Sequence, residues 1–276
     1  MFSFEPHLNS ILKTTAKSFK LLFATNNQFV LPITNRILVL DSSFNPPHKG
    51  HLSLVAKSLT HKLGDESTVH SSVNSRSVLL VLSVKNADKQ PQPAKFEDRL
   101  KMMYYLAQEI TDQFGVSCAI GITNCSLFVD KALTLEEYFK REYTNHLRFT
   151  FLLGYDTLVR LLAPKYYEPR SLQEALGGFF DTSDCFVLTR NDGSHPLESQ
   201  MQYLERMKKG MVADTLPTWA EKIFLVQGNA HTDNLSSSSI RKLIQSGDNS
   251  WITKTTPNIA SFITKEHPYE DIHTPP

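Results

Sequence analysis

The chain has 276 residues, of which 41% are hydrophobic, and a formal net charge of +1. This length suits one α/β domain with a sizeable core or two small domains, and the balanced charge gives no reason to expect a nucleic-acid groove or a membrane surface. No apolar run reaches the length of a membrane span. The three cysteines, Cys118, Cys125 and Cys185, form no CxxC pair, which favours reduced thiols in the core.

Residues 1–35 are predicted to form a helical N-terminal extension packed on the domain. They contain Lys13, Lys17 and Lys20 among apolar residues, with Glu5 as the one acid. An amphipathic presequence for organelle import is the less favoured alternative, because arginine is absent before Arg36 and no cleavage pattern is evident.

The rest of the chain alternates short apolar runs with longer amphipathic ones, which predicts alternating strands and helices. The predicted strands are 37–40, 78–82, 116–122, 149–153, 185–188 and 223–226. The predicted helices are 52–63, 96–114, 134–143, one that starts near 157, 240–245 and 259–264, and 64–76 is a polar surface loop. This order predicts an α/β fold with a doubly wound, mostly parallel sheet and helical appendages at both ends. One domain is expected over residues 1–276, with a core at about 36–270.

The first candidate site is the stretch DSSFNPPHKGH at 41–51, which joins the first of these strands to a helix. Its prolines exclude a continuous strand or helix, so a tight turn is predicted. His48 and His51 lie at the start of the helix, where free backbone N–H groups favour a polyphosphate. An ordinary solvated turn is the alternative, and a zinc site lacks a third ligand at metal spacing.

The second candidate site is LSSSSIRK at 235–242. Ser236 or Ser237 can cap a helix, and the hydroxyl groups, the free N–H groups and Arg241 then form an anion-binding site at its N-terminus. A flexible serine-rich loop is the alternative.

Together these two stretches resemble the signatures of the HxGH nucleotidyltransferases. SFNPPHKGH is similar to the first signature of the nicotinamide mononucleotide (NMN) adenylyltransferases, with the fungal-type enzymes as the favoured branch, and LSSSSIRK is similar to their second, ISSTxIR. The resemblance implies a Rossmann-like nucleotidyltransferase fold and transfer of AMP from ATP to NMN, which gives NAD and pyrophosphate. Ser42 stands where many members have glycine.

The resemblance also implies roles for individual residues. The catalytic residues would be His48, His51 and Arg241. ATP would be bound by His51, Gly154, Asp156, Ser237, Ser238, Ser239, Ile240 and Arg241, with Asp156 on a ribose hydroxyl. NMN and NAD would be bound by Ser42, Ser43, Phe44, Lys89, Thr134, Tyr167 and Arg190. Lys85 and Lys95 are rivals of Lys89, and Tyr167 would stack on nicotinamide where the family has tryptophan, unless it is a partly buried surface tyrosine.

Mg²⁺ or another divalent cation is expected to arrive with ATP, with no metal site built by the protein. The expected partners are ATP and NMN, without nucleic acid or membrane. A cytoplasmic location is expected, with the nucleus as a second compartment and mitochondrial import less favoured. Two alternatives stay open: nicotinate mononucleotide as the main substrate, and a degenerate family member that acts as an ATP-binding adaptor.

Overall fold

The computed structural model describes residues 10–64, 75–84, 94–144, 146–190, 195–229, 231–232 and 234–269. Seven strands form one sheet: β1 (Phe19–Ala24), β2 (Arg36–Asp41), β3 (Arg76–Ser83), β4 (Cys118–Thr123), β5 (Arg148–Gly154), β6 (Ser183–Leu188) and β7 (Ile223–Val226). The helices are α1 (Lys49–Thr60), α2 (Phe96–Phe114), α3 (Phe128–Glu142), α4 (Tyr155–Leu161), α5 (Leu172–Thr182), α6 (Leu197–Lys208), α7 (Ser237–Gln245) and α8 (Pro257–Glu266). Short 3₁₀ turns occupy Pro164–Tyr166, Pro217–Lys222 and Asn249–Lys254.

The strand order is β1-β4-β3-β2-β5-β6-β7. Strands β2 to β7 pair in parallel, and β1 pairs antiparallel with β4 at one edge. The chain winds from β2 to β3 and β4 on one side, then returns to β5, β6 and β7 on the other. The predicted doubly wound α/β fold is therefore confirmed, and the reversal places a crevice at the carboxyl ends of β2 and β5, where such sheets bind ligands.

The sheet is buried on both faces because its central strands are apolar at almost every position. In β2, Leu38 and Leu40 enter the core on one face, and Ile37 and Val39 enter the core on the other. The same alternation continues in β3. The core thus holds the carboxyl ends of neighbouring strands in a fixed register beside the crevice.

The amino ends of the strands, on the side opposite the crevice, carry a buried ionic network around Asp184. Its carboxylate accepts hydrogen bonds from Arg36 at 2.7 Å, from Arg148 at 2.7 Å and from Thr150. Arg36 also donates to the Leu63 carbonyl beyond the end of α1. These bonds tie the amino ends of β2, β5 and β6 together.

The N-terminal region differs from the prediction. Residues 10–13 are helical, but β1 follows and completes the sheet, so a purely helical extension is wrong. The Asn124 side chain explains part of this placement: it accepts from the Ser18 amide at 2.9 Å and donates to the carbonyls of Thr14 and Ala16. Those contacts come from more than a hundred residues away, where no local pattern can reveal them.

Helices α5 and α6 were not predicted, and α3 starts at Phe128 instead of Thr134. Adjacent glycines weaken the helical pattern of α5, and α6 buries few side chains. Cys118, Cys125 and Cys185 are buried free thiols. None of the described helices has the length and apolar character needed to cross a bilayer.

Candidate active site

The turn between β2 and α1 is fixed by a buried aromatic residue. Phe44 has a positive φ of 46°, an uncommon conformation for a residue with a side chain. Its ring is fully buried and lies 5.3 Å from the His51 ring, centroid to centroid. Next to it, the Asn45 side chain accepts from the Ala94 amide at 2.8 Å. Burial and this hydrogen bond keep the turn in one shape.

Both predicted histidines stand at the start of α1 with their ring centroids 3.9 Å apart. The Nδ1 atom of His48 accepts from the Gly50 amide, and the Nδ1 atom of His51 accepts from the His48 amide, each at 3.1 Å. Because a neutral ring carries its proton on the other nitrogen, both histidines have Nε2–H groups. The Nε2 atom of His51 lies 2.9 Å from the Ser42 hydroxyl. The site therefore holds two oriented N–H donors.

Burial lowers the pKa of both imidazoles. For His51 the pKa falls from 6.5 to about 4, first through burial and then through the charge of Arg190. For His48 the pKa falls well below its ordinary value for the same first reason, with His51 and Arg190 adding to it. Both rings are accordingly neutral donors at neutral pH, and Arg190 is close enough to act on both.

Gly50 leaves room for the His48 ring. A Cβ atom at this position would lie 2.8 Å from the Nδ1 atom of His48 and 3.5 Å from the Thr232 carbonyl. The segment that precedes α7 therefore passes close over the start of α1.

The serine-rich motif forms a capped helix, as predicted. Ser236 is the N-cap of α7, and its side chain and that of Ser239 form a reciprocal capping box. The amides of Ser237 and Ser238 begin the helix, where no intrahelical acceptor exists for them. An anion can therefore bind at this end of α7.

The two motifs meet directly. The Ser237 hydroxyl donates to the Pro46 carbonyl at 2.8 Å, and Arg241 donates to the Asn45 carbonyl at 2.7 Å. Arg241 also donates to the Ser238 hydroxyl at 3.2 Å. Stretches almost two hundred residues apart thus form the two walls of one crevice.

Arg190 links the remaining parts of the site. Its guanidinium donates to the Asp156 carboxylate at 3.3 Å and to the Leu235 carbonyl at 3.0 Å. Gly154 makes this approach possible, because a Cβ atom there would lie 2.9 Å from the Asp156 carboxylate and 3.1 Å from the Arg190 side chain. The segments that follow β5 and β6 and the segment that precedes α7 therefore meet at the Arg190 guanidinium.

Gln200 is a residue that the sequence analysis missed. Its buried side chain in α6 accepts from the Arg190 amide at 3.0 Å and donates to the Arg190 carbonyl at 2.6 Å. It also donates to the His195 carbonyl at 2.9 Å. A single glutamine on a helix carries no motif, so only the fold reveals that it fixes the backbone of Arg190.

Three predicted binding residues are placed differently by the structure. Ile240 is a fully buried core residue whose amide bonds to the Ser236 carbonyl, so its side chain is not exposed to a ligand. The Tyr167 ring is packed in the core, and its hydroxyl donates to the Leu161 carbonyl, so it has no face for a ligand. The side chain of Phe44 is equally inaccessible, which leaves only its backbone near the crevice.

The other predicted positions are bonded within their own helix, lie beside the turn or at the start of α2, or fall outside the described residues. The hydroxyl and the amide of Ser239 both form hydrogen bonds in the cap of α7. Thr134 is buried in α3 with its hydroxyl 3.0 Å from the carbonyls of Asp130 and Lys131. Ser43 is half-buried beside the turn, Lys95 is exposed at the start of α2, and Lys85 and Lys89 lie outside the described residues.

A buried ion pair lies at the same edge of the sheet as the histidines. Lys131 in α3 binds the carboxylate of Asp41, the last residue of β2. Ser83, the last residue of β3, donates to the other carboxylate oxygen at 3.3 Å. No sequence motif links these two residues, because they are ninety positions apart.

Comparisons with known proteins agree with this geometry. A relative from Schizosaccharomyces pombe, named "Putative nicotinamide mononucleotide adenylyltransferase", is 35% identical over an alignment of 241 residues, and the match covers 84% of this chain and 86% of the relative. No family model matches the chain.

Two solved structures of a Plasmodium falciparum nicotinic acid mononucleotide adenylyltransferase, complexed with NaAD and with APC, have TM-scores of 0.51 and 0.52. Their identities are 16% and 15%, and each match covers 85% of this chain and 97% of the other, so they show a shared fold. The identity to the Schizosaccharomyces pombe relative, over most of both chains, shows more: the chain is a nucleotidyltransferase of the nicotinamide mononucleotide adenylyltransferase family.

Proposed function

We propose that the protein transfers AMP from ATP to NMN and releases NAD and pyrophosphate. The observation that carries this proposal is the direct contact between the histidine turn and the serine-arginine helix, through Ser237 and Arg241. One wall presents two neutral N–H donors, and the other presents a helix N-terminus and a guanidinium. This arrangement suits a triphosphate held from two sides.

In the proposed reaction an oxygen of the NMN phosphate attacks the α-phosphorus of ATP. A new O–P bond forms as the bond to the bridging β-phosphate oxygen breaks, and pyrophosphate leaves with the electron pair. The attacking phosphate is already an anion near neutral pH, so no side-chain base is required. The protein then acts by positioning the reactants and stabilising negative charge.

Each wall of the crevice has its own part in this reaction. The Nε2–H groups of His48 and His51 donate to the α-phosphate oxygens, where negative charge grows in the transition state. Arg241 and the amides of Ser237 and Ser238 hold the leaving β- and γ-phosphates. Asp156, which is half-exposed, accepts from a ribose hydroxyl, and Arg190 contacts the dinucleotide phosphates beside it.

We propose that a divalent cation reaches this site bound to ATP. Within the described parts of the chain, no group of three or more His, Cys, Asp or Glu residues could hold a metal ion. Among the residues proposed to bind substrate here, Asp156 is the one carboxylate, and it is paired with Arg190. Phosphate oxygens and water would therefore supply the ligands, and the cation would neutralise phosphate charge.

The proposal is tested by dinucleotide formation from ATP and Mg²⁺ with NMN, and in parallel with nicotinate mononucleotide. We expect NAD to form with the higher kcat/KM. The His51→Ala variant, assayed at a temperature where it is folded, should lose at least about 100-fold in kcat, because it lacks a donor that acts in the transition state. The matched control is His146→Ala, on an exposed side chain outside the crevice. ATP hydrolysis without any dinucleotide product would contradict the proposal, and near-normal turnover by His51→Ala would remove that residue from it.

A further inference from the structure

The ion pair between Asp41 and Lys131 is unusual in its burial. Lys131 is the one lysine among the buried residues that the structure describes. Its side chain is 5% exposed, and that of Asp41 is 11% exposed. Removal of two charges from water is costly unless their hydrogen-bonding groups are satisfied. Such a pair therefore requires an explanation.

The Lys131 ammonium group is only partly satisfied. It has three N–H groups, and within the described part of the chain its hydrogen-bond acceptor is Asp41. Its nitrogen also lies 4.8 Å from the centre of the Phe128 ring, a favourable contact but not a hydrogen bond. A buried ammonium with donors to spare beside a carboxylate can bind a further polar group.

The position of the pair indicates what that group is. Asp41 and Ser83 end the adjacent parallel strands β2 and β3, and Lys131 lies in the first turn of the helix that follows β4. All three lie beside the carboxyl ends of the strands, where such sheets bind ligands. Asp41 directly precedes Ser42, whose hydroxyl contacts the catalytic-site imidazole of His51. The pair is therefore adjacent to the proposed phosphate site, on the side toward β3 and β4.

We propose that Asp41 and Lys131 recognise the 3-substituent of the pyridine ring and make the enzyme prefer the carboxamide to the carboxylate. This inference rests on the proposed function. A carboxamide has one acceptor and one donor group, so its oxygen accepts from Lys131 while its NH₂ donates to Asp41. A carboxylate has only acceptors, and its second oxygen meets the negative charge of Asp41. Lys131 attracts both substrates, and Asp41 discriminates between them because it accepts from the carboxamide and repels the carboxylate.

A purely structural ion pair makes a different prediction. A pair that only ties α3 to β2 would, when broken, weaken the reaction with both mononucleotides by the same factor. The kcat/KM for nicotinate mononucleotide divided by that for NMN, here called the acid-to-amide ratio, would then stay constant. A recognition pair changes this ratio, and its two members change it in opposite directions.

The experiment measures the acid-to-amide ratio with saturating ATP and Mg²⁺ for the wild type, Asp41→Asn and Lys131→Met. Asp41→Asn is isosteric and replaces a repulsive acceptor by an amide that can donate, so the ratio should rise at least about tenfold. Lys131→Met removes the cation that offsets Asp41, so the ratio should fall. The matched control is Lys17→Met, which breaks a 2.7 Å ion pair with Asp130 on the same helix while its side chain is 62% exposed. This control should leave the ratio unchanged.

An unchanged ratio in Asp41→Asn, with equal losses for both substrates, would overturn the inference and identify a structural pair. If Lys131→Met does not fold, the isosteric Asp41→Asn variant decides alone. A wild type that forms no dinucleotide from either mononucleotide would overturn the proposed function, and the inference with it. A wild type that forms NAD while the variants keep its ratio would overturn only the inference.

Discussion

The neutral imidazoles of His48 and His51 at the start of α1 have a consequence for stability. The folded protein holds the pKa of His51 at about 4, whereas the unfolded chain restores the ordinary value of 6.5. Below pH 6.5 the unfolded state binds a proton that the folded state does not bind until about pH 4. The stabilising effect of the neutral ring is thus fully present above pH 6.5 and is lost as the pH falls through this window.

We expect the free energy of unfolding to decrease by about 2 kcal/mol from His51 alone between pH 7 and pH 5. His48 adds to this loss, since its pKa is lowered in the same direction. Urea denaturation at several pH values measures the slope. The double variant His48→Gln and His51→Gln should show a flatter dependence, whereas His146→Gln should retain the wild-type curve. Parallel curves for the double variant and the wild type would show that these rings do not control acid stability.

At the residue scale, the sequence predicts which residue types lie together better than it predicts the accessibility of each side chain. His48, His51 and Arg241 stand in motifs whose residue types are suited to phosphate, and the structure brings those motifs into contact. Ile240 stands in the same motif but is a core residue of α7. A motif aligns positions without distinguishing backbone contacts from side-chain contacts, so it does not reveal that the Ile240 side chain lies in the core.

At the level of elements, helix α6 controls the geometry of Arg190. Gln200 satisfies the amide and the carbonyl of that residue together, so the strand end after β6 is fixed by a side chain from the following helix. Loss of this contact removes two hydrogen bonds that hold the Arg190 backbone, so the guanidinium is positioned less precisely.

The Gln200→Ala variant should therefore raise the KM for the mononucleotide about tenfold, because a positioning residue acts through Arg190 and not on the reacting atoms. Steady-state kinetics with each substrate varied in turn measure the effect. Gln202→Ala is the matched control, since Gln202 lies on the same helix, is exposed and bonds only to Glu198 in the described structure. Equal KM values for the two variants would show that Arg190 is positioned by other contacts.

The elements that were predicted well are those with strong local patterns. Strand β3 is a continuous apolar run, and α2 combines a clear apolar face with a terminal glycine at φ 68°. Strand β1 is half-buried along its whole length and has no such pattern. Helix α5 did carry a recognisable signal, the capping box between Ser171 and Glu174, ahead of its two glycines.

At the scale of the whole molecule, the buried ionic network and the proposed catalytic site lie at opposite ends of the strands of one sheet. The Asp184 network joins the amino ends of three strands, and the crevice occupies the carboxyl ends. This separation follows from the doubly wound topology, which the alternation of strands and helices predicted. The ionic network itself was not predictable, because Arg36 and Asp184 are distant in the chain and meet only in the folded sheet.

Asp184→Asn should destabilise the fold by about 3–5 kcal/mol, since it removes the negative charge that accepts hydrogen bonds from the buried Arg36 and from Arg148. The kcat of the remaining folded protein should be unchanged at a temperature where both proteins are folded. Urea unfolding and steady-state kinetics separate the two effects. Asp181→Asn, on an exposed carboxylate nearby, should leave both quantities at wild-type values. A large loss of kcat by folded Asp184→Asn would mean that the two ends are coupled.

The antiparallel strand β1 has a final implication for how the molecule is assembled. It is the first strand that the structure describes, yet its partner β4 lies about a hundred residues later, beyond β2 and β3. During synthesis on a ribosome, Phe19–Ala24 must remain unpaired until Cys118–Thr123 has emerged, while the parallel pair β2 and β3 is already available. The outer edge of the growing sheet therefore closes late, and a nascent chain stalled before that point would carry a strand ready to associate with another copy.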